Sequence, residues 1–304
     1  MSTEALGAEG RGRLVLVATP IGNLGDLSPR AREVLATADL ICCEDTRRTR
    51  ALLSAVGVSA GGPGGDRLLS LHGHNEQARL DRVAAAVAGG ATVAVVSDAG
   101  TPGISDPGAW LAAQLGAAGE TVSTVPGPSS VVGALVVSGL PADRFCVEGF
   151  LPRKGSERRR RMAALMAEER TSVVLEAPGR VAATLGELAG ADPGRPVAVV
   201  RELTKLHEEV WRGTLGQAAE AFAERRLRGE VVLVVGGAPA PEPAVESEVE
   251  EAVRAVVADD PGAGPRQVAE RVAAALGVPR RRAYEAALRV RASAGDEPGS
   301  SGPA

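Results

Sequence analysis

The chain has 304 residues, of which 44% are hydrophobic and 24% charged, with a formal net charge of −4. This length suggests about two domains with ample core, and the composition excludes a disordered chain. The charge excludes a global pull towards nucleic acid, and an aromatic content of 2%, scattered from Trp110 to Tyr284, excludes a base-stacking sheet module.

Residues 1–12 are small and polar and read as a disordered start. Residues 14–18 (LVLVA) read as a buried strand, ended by Thr19-Pro20. Ser28 followed by Pro29 is a cap and a first helical position, so a helix is expected to about residue 38. Strands at 40–43, 68–71, 93–96 and 122–125 alternate with helices at 46–56, 75–88 and 110–118. That alternation implies βα units and a mostly parallel sheet over residues 13–126. A helix from 129 to 138 leads into a second α/β domain, residues 127–237. Its strands are expected at 145–150, 172–176, 196–201, 208–213 and 230–235, and its helices at 158–168, 180–188 and 215–226. The short link between 196–201 and 208–213 suits an antiparallel pair, so this sheet is expected to be mixed. APAPEP opens a linker over 238–244, and helices at 246–257, 265–276 and 280–291 form a small C-terminal bundle, residues 245–292, that packs rather than reads DNA. Residues 293–304 read as a disordered tail.

No long apolar run opens the chain, so neither a signal peptide nor a membrane span is expected. Cys42, Cys43 and Cys146 form no CxxC, which fits a reducing compartment, and a cytoplasmic location follows. There is no Walker A sequence and no GxGxxG, so the nucleotide-triphosphate and dinucleotide fingerprints are missing. His72 and His74 read as a loop pair rather than as metal ligands, and no metal is expected.

The most telling stretch is residues 93–108, VAVVSDAGTPGISDPG, a buried strand running straight into a glycine-rich turn. Open α/β sheets bind ligands beyond the carboxyl ends of such strands. Four further polar turns follow strand ends, at 19–23, 44–48, 72–75 and 126–130, and together they predict a cleft. Asp98 stands at its mouth as a carboxylate able to meet a hydroxyl, an amine or a cation.

The strings VATPIGNLGDLSPRA, CEDTRRT, LHGHNE, VSDAGTPGISDPG, VPGPSS, FCVEGFLPRK, LEAPGR and RELTKLHEE, in this order, resemble the bacterial small-subunit ribosomal RNA cytidine 2′-O-methyltransferases. These belong to the tetrapyrrole-methylase-like superfamily. The resemblance covers about residues 13–237. It implies two α/β domains with an S-adenosylmethionine cleft between them, a homodimer, and as acceptor the small-subunit ribosomal RNA or the assembled small subunit. It also implies cofactor contacts at Pro20, Asp98, Gly100, Thr101, Ile104, Ser129, Ser130, Leu151, Glu176, Ala177 and Pro178. Asp98-Ala99-Gly100-Thr101-Pro102 replaces the GDP-type sequence of the porphyrin and corrin enzymes, which favours the RNA branch.

Methyl transfer to a hydroxyl benefits from a base. Glu44, Asp45, His74, Asp98 and Lys205 are candidates, with Asp98 favoured as a cofactor contact and Lys205, one of only two lysines, singled out as the base or as an orienter of the substrate, beside the simpler and favoured reading of a partner to a phosphate or carboxylate. Arg47, Arg48, Arg153, Lys154, Arg158 and Arg159 are candidate contacts to RNA phosphates, although Glu44 and Asp45 offer Arg47 and Arg48 simpler partners. Two other readings stay open on sequence: a methyltransferase for a tetrapyrrole or other small acceptor, and a catalytically idle RNA-binding or assembly protein that keeps the fold.

Overall fold

The computed structural model describes residues 12–62, 65–239 and 244–295. The disordered ends and the linker expected from sequence fall largely outside those residues. The chain divides into two compact units, Met1–Ala238 and Pro239–Ala304.

The first unit opens with β1 (Arg13–Val17), α1 (Pro29–Thr37), β2 (Leu40–Cys43), α2 (Thr46–Ala55), a small hairpin of β3 (Gly61–Gly62) and β4 (Gly65–Asp66), then β5 (Leu68–Ser70). It continues through α3 (Glu76–Ala88), β6 (Thr92–Val96), α4 (Ala109–Ala117), β7 (Thr121–Val125) and α5 (Ser130–Ser138). The first sheet has the order β5-β2-β6-β1-β7, and all of its pairings are parallel. Alternation along each strand sends side chains to opposite faces. Val15, Val17, Ile41, Ala94 and Val96 pack under α1 and α2, while Leu14, Cys42, Val93 and Val95 pack under α3 and α4. Both faces are therefore buried, as the near-continuous apolar runs require.

The second sheet is built from β8 (Phe145–Phe150), α6 (Gly155–Ala167), β9 (Thr171–Glu176), α7 (Val181–Ala191), β10 (Pro196–Arg201), β11 (Glu209–Thr214), α8 (Leu215–Phe222) and β12 (Val231–Val235). Its order is β11-β10-β12-β9-β8, with only β8 and β9 parallel. The antiparallel pair read from the short link is β10 with β11. One face packs on α6, α7 and α8, and the other on α5.

The sequence predicts a helix to residue 226, yet α8 stops at Phe222. Phe222 is buried, and Arg225 folds back over its ring at 4.7 Å to reach Glu209. Tertiary contacts thus override a stretch whose residues favour helix.

The second unit contains α9 (Glu246–Asp259), α10 (Pro265–Leu276) and α11 (Arg280–Gly295), which share a core of valines and alanines. Gly277 takes a left-handed φ of 64° to end α10. Among the described residues, no helix is long and apolar enough to cross a membrane.

Candidate active site

β1 and β6 lie side by side, but the chain leaves β1 towards β2 on one flank and leaves β6 towards β7 on the other. That divergence is a topological switch point, where open α/β sheets hold ligands. A cavity of about 400 Å³ opens there. The first sheet contributes Ile21, Arg48 and residues 98–101 and 104–106. The other walls are residues 129–131, Phe150, 175–178 and 229–232. Its volume suits a small-molecule ligand.

Local backbone chemistry shapes the first wall. Thr19 and Gly100 exchange backbone hydrogen bonds of 2.9 and 3.1 Å, tying the turn after β1 to the turn after β6. Gly100 has φ +85°, and a Cβ there would lie 3.3 Å from Ile21 Cγ2, so glycine serves both conformation and clearance. The Thr101 hydroxyl donates to the Pro128 carbonyl at 3.1 Å, joining this turn to the crossover into the second domain. Below it, buried Glu76 accepts from the backbone amides of Gly108 and Leu111, each at 3.0 Å. Gly108 has no side chain with which to cap α4, so a carboxylate from α3 caps it instead.

Four carboxylates gather at the mouth and the adjoining wall. Asp98 accepts from the Asp45 amide at 3.1 Å and pairs with Arg48 at 3.1 Å. Asp45 is the cap of α2, and its hydrogen bonds with Arg47 hold its carboxyl down at about 2. Burial and the charge of Asp98 push Glu44 up. Asp106, in the cavity wall, is pushed up to about 6 by burial and the nearby charge of Glu44; a Ser97 hydrogen bond opposes this and Asp98 adds to it.

In the second domain, Glu176 has a fully buried side chain. Its oxygens accept from the Thr184 hydroxyl at 2.7 Å, the Ala177 amide at 2.8 Å and the Arg180 guanidinium at 2.9 Å. Glu176 therefore fixes the wall at Ala177 and Pro178 with its own acceptors already taken. Ser129 caps α5, leaving the first turn of that helix, Ser130 and Val131, facing the cavity.

The structure brings Asp98, Gly100, Thr101, Ile104, Ser129, Ser130, Glu176, Ala177 and Pro178 together around one cavity. Pro20 and Leu151 do not line it; their neighbours Ile21 and Phe150 do, and Leu151 is buried. Arg48, expected on RNA, lines the cavity and holds Asp98. Arg47 pairs with Asp45 at 3.0 Å. Arg158 needs correction as an RNA contact. It is 7% exposed, and its guanidinium bonds Glu187, the Thr184 hydroxyl and the Pro152 carbonyl. Arg153, Lys154 and Arg159 are exposed around the start of α6.

The base reading of Lys205 also needs correction. Its ammonium lies 2.8 Å from Glu202 and 3.0 Å from Glu230. Burial pulls its pKa down, but those two carboxylates outweigh burial and hold it above the ordinary value. A base needs the opposite direction. His74 is exposed, with its ring 6.1 Å from that of His72. Among the described residues, no group of three or more His, Cys, Asp or Glu is placed to hold a metal.

Sequence reasoning missed Asp106, Phe150 and residues 229–232. Asp106 stands in the quoted ISDPG, but residue type alone does not rank it against Asp98. Residues 229–232 carry no motif, only the apolar start of β12.

This fold and cleft define a two-sheet α/β protein with a small-molecule cavity at the switch point of its first sheet. Residues 13–219 match the family described as Tetrapyrrole (Corrin/Porphyrin) Methylases. The chain is 47% identical over 289 residues to a ribosomal RNA small subunit methyltransferase I from Mycobacterium tuberculosis, covering 93% of this chain and 97% of the relative. It is 43% identical to the protein of that name from Synechocystis, covering 92% and 99%. A similar fold occurs in uroporphyrin-III C-methyl transferase from Thermus thermophilus complexed with S-adenyl homocysteine, at TM-score 0.50 and 23% identity, covering 75% of this chain and 97% of that one. The chain belongs to the tetrapyrrole methylase family and, within it, to the ribosomal RNA small subunit methyltransferase I group.

Proposed function

We infer that the protein transfers a methyl group from S-adenosylmethionine to small-subunit ribosomal RNA, at the ribose 2′-hydroxyl of a cytidine. The observation that carries this is the 47% identity with a ribosomal RNA small subunit methyltransferase I across 93% of the chain. The cytidine and the 2′-oxygen rest on the motif resemblance. That resemblance also supports a cytoplasmic homodimer acting on ribosomal RNA, free or in the assembled subunit.

The cavity suits the cofactor's chemistry. Ile21, Ile104, Phe150 and Val232 would hold the adenine between apolar walls. The first-turn amides of α5 and the Ser130 hydroxyl would take a carboxylate, which helix starts favour. Asp98, pinned by Arg48 and the Asp45 amide, would receive the hydroxyl or amine groups. When bound, S-adenosylmethionine supplies an electrophilic methyl group on a positively charged sulfur.

The residues of the chain then have two tasks. Walls fixed by Glu76 and Glu176 hold the reactants in line, and positioning of this kind lowers barriers by up to about 7–11 kcal/mol in intramolecular models. A carboxylate oxygen of Asp106 takes the proton of the acceptor hydroxyl. Half-burial beside Glu44 keeps this carboxylate basic enough to do so near neutral pH.

Transfer of labelled methyl from S-adenosylmethionine to isolated small subunits, naked ribosomal RNA and a tetrapyrrole tests the reading. Label on the ribosomal RNA, sited at a cytidine ribose, is expected. Label on the tetrapyrrole alone overturns it.

A further inference from the structure

The loop over residues 223–230, AERRLRGE, stands between the cleft and two further hollows. One, of about 540 Å³, is bounded by Pro178, Gly179, Ala182 and residues 223–228. The other, of about 280 Å³, is bounded by Arg201 and residues 225–228. Pro178 is common to the first hollow and the cleft, and Gly229 and Glu230, which follow Arg228 directly, line the cleft. A molecule leaving the cleft over this rim passes directly onto the hollows.

Their charge is one-sided. Arg201, Arg225, Arg226 and Arg228 face Glu209 and Glu224 alone among the residues that bound the hollows or pair with them. Glu209 is already engaged. It accepts from Arg201 Nε at 3.3 Å and from both terminal nitrogens of Arg225 at 2.9 Å. Arg225 also lies over the Phe222 ring, and Arg201 reaches the Arg228 carbonyl at 3.4 Å. Two arginines thus brace the loop. The exposed Arg226 and Arg228 are held on that braced backbone with no ion pair found for either among the described residues. Glu230, across the rim, is occupied by Lys205.

We propose that the braced arginine loop over residues 223–230 docks the sugar–phosphate backbone of the RNA strand flanking the nucleotide in the cleft, with Arg226 and Arg228 as the phosphate contacts. The inference rests on the RNA reading above and adds where the strand leaves the site. A guanidinium fork matches a phosphate in two-point geometry, and a pre-braced loop loses less freedom on binding. A strand whose target sugar sits in the cleft must carry its neighbouring phosphates over one rim. This rim offers arginines, whereas Arg158, in the run first expected to grip RNA, is buried in a structural network.

The test uses the full chain and its R226Q/R228Q variant with a short single-stranded RNA of small-subunit sequence. Affinity is measured across a salt series, and S-adenosylhomocysteine binding by calorimetry checks that the cleft is intact. With about 0.7 counterions released per single-strand phosphate contact, the slope of log affinity on log salt should become shallower by about 1.4. Cofactor affinity should not change. A wild type that binds and methylates RNA, beside a variant with the same slope and affinity, overturns this proposal alone. A wild type that neither binds nor methylates this RNA or isolated small subunits overturns the functional reading as well. Inorganic phosphate binding that the variant loses, with no change in the RNA slope, assigns the hollows to a free anion and also overturns it.

Discussion

Asp106 is the residue at which burial and charge create a proton acceptor. Its folded value of about 6 stands above the ordinary 3.8 because burial and Glu44 penalise the charged form. The rate of methyl transfer should therefore rise as pH passes about 6 and then level, since only the ionised carboxylate accepts a proton. Asp106→Asn should lower kcat by about a hundredfold or more and abolish that pH limb, with S-adenosylhomocysteine affinity retained. A variant with wild-type kcat rules out the role. Stability gives an independent readout. A raised carboxyl favours the fold below the unfolded value of 3.8, and that contribution is lost as pH rises through about 6. Asp106→Asn should thus be more stable than wild type at pH 8, by about 1–2 kcal/mol after allowing for solvent screening, with the difference vanishing near pH 4. Urea unfolding at the two pH values measures it. None of this was legible in the sequence, where Asp98 and Asp106 are two aspartates of one motif. Their difference lies in neighbours from the turn after β2 and the start of α2, namely the Asp45 amide and Arg48 for one and Glu44 for the other. Lys205 teaches the same lesson, because the motif holds Lys205 and Glu202 but not Glu230, the carboxylate directly before β12 that completes its pairing.

Elements are positioned by polar groups reaching between them, and here the sequence was more readable. β2, β8, β10 and α10 start and stop where residue patterns place them, because apolar runs and Gly or Pro boundaries are local signals. The cross-caps were not readable. Glu76 looks like an ordinary acidic first-turn residue of α3, yet it caps α4 and anchors the turn that carries Asp98 and Asp106. Glu76→Ala should cost about 2–4 kcal/mol, since two buried amides lose a charged acceptor. Glu76→Gln should cost about 1 kcal/mol, since its carbonyl still accepts. Amide exchange at residues 100–111 should accelerate most in the alanine variant, and unchanged protection would show that the turn does not depend on this cap. Arg158 acts likewise between α6, α7 and β9, through Thr184 to Glu176. Arg158→Met should lower stability by about 2–4 kcal/mol by leaving buried acceptors unpaired. It should weaken cofactor binding through the wall at Ala177 while leaving the salt slope of RNA binding unchanged. A shallower slope would return Arg158 to the phosphate contacts.

At the scale of the whole molecule, each unit carries its own core. Those of the first are built from its two sheets and their helices, and that of the second from α9, α10 and α11 alone. Every residue lining the cleft lies between Ile21 and Val232. The last hydrogen bond that closes the second sheet's domain is the Ala238 amide donating to the Glu168 carbonyl at 2.7 Å, so a cut is best made immediately after it. A chain ending at Ala238 should fold cooperatively and bind S-adenosylhomocysteine with an affinity within about threefold of the full chain, a difference of under 1 kcal/mol. Calorimetry on the two proteins measures this. Loss of binding would mean that the helical unit supports the cleft. Retained binding with methyl transfer to ribosomal RNA abolished would assign the helices to the acceptor. The cofactor's motifs all precede residue 238, whereas α9–α11 carry only helix signals and a packed core, and a core of that kind says how a unit folds without saying what it meets.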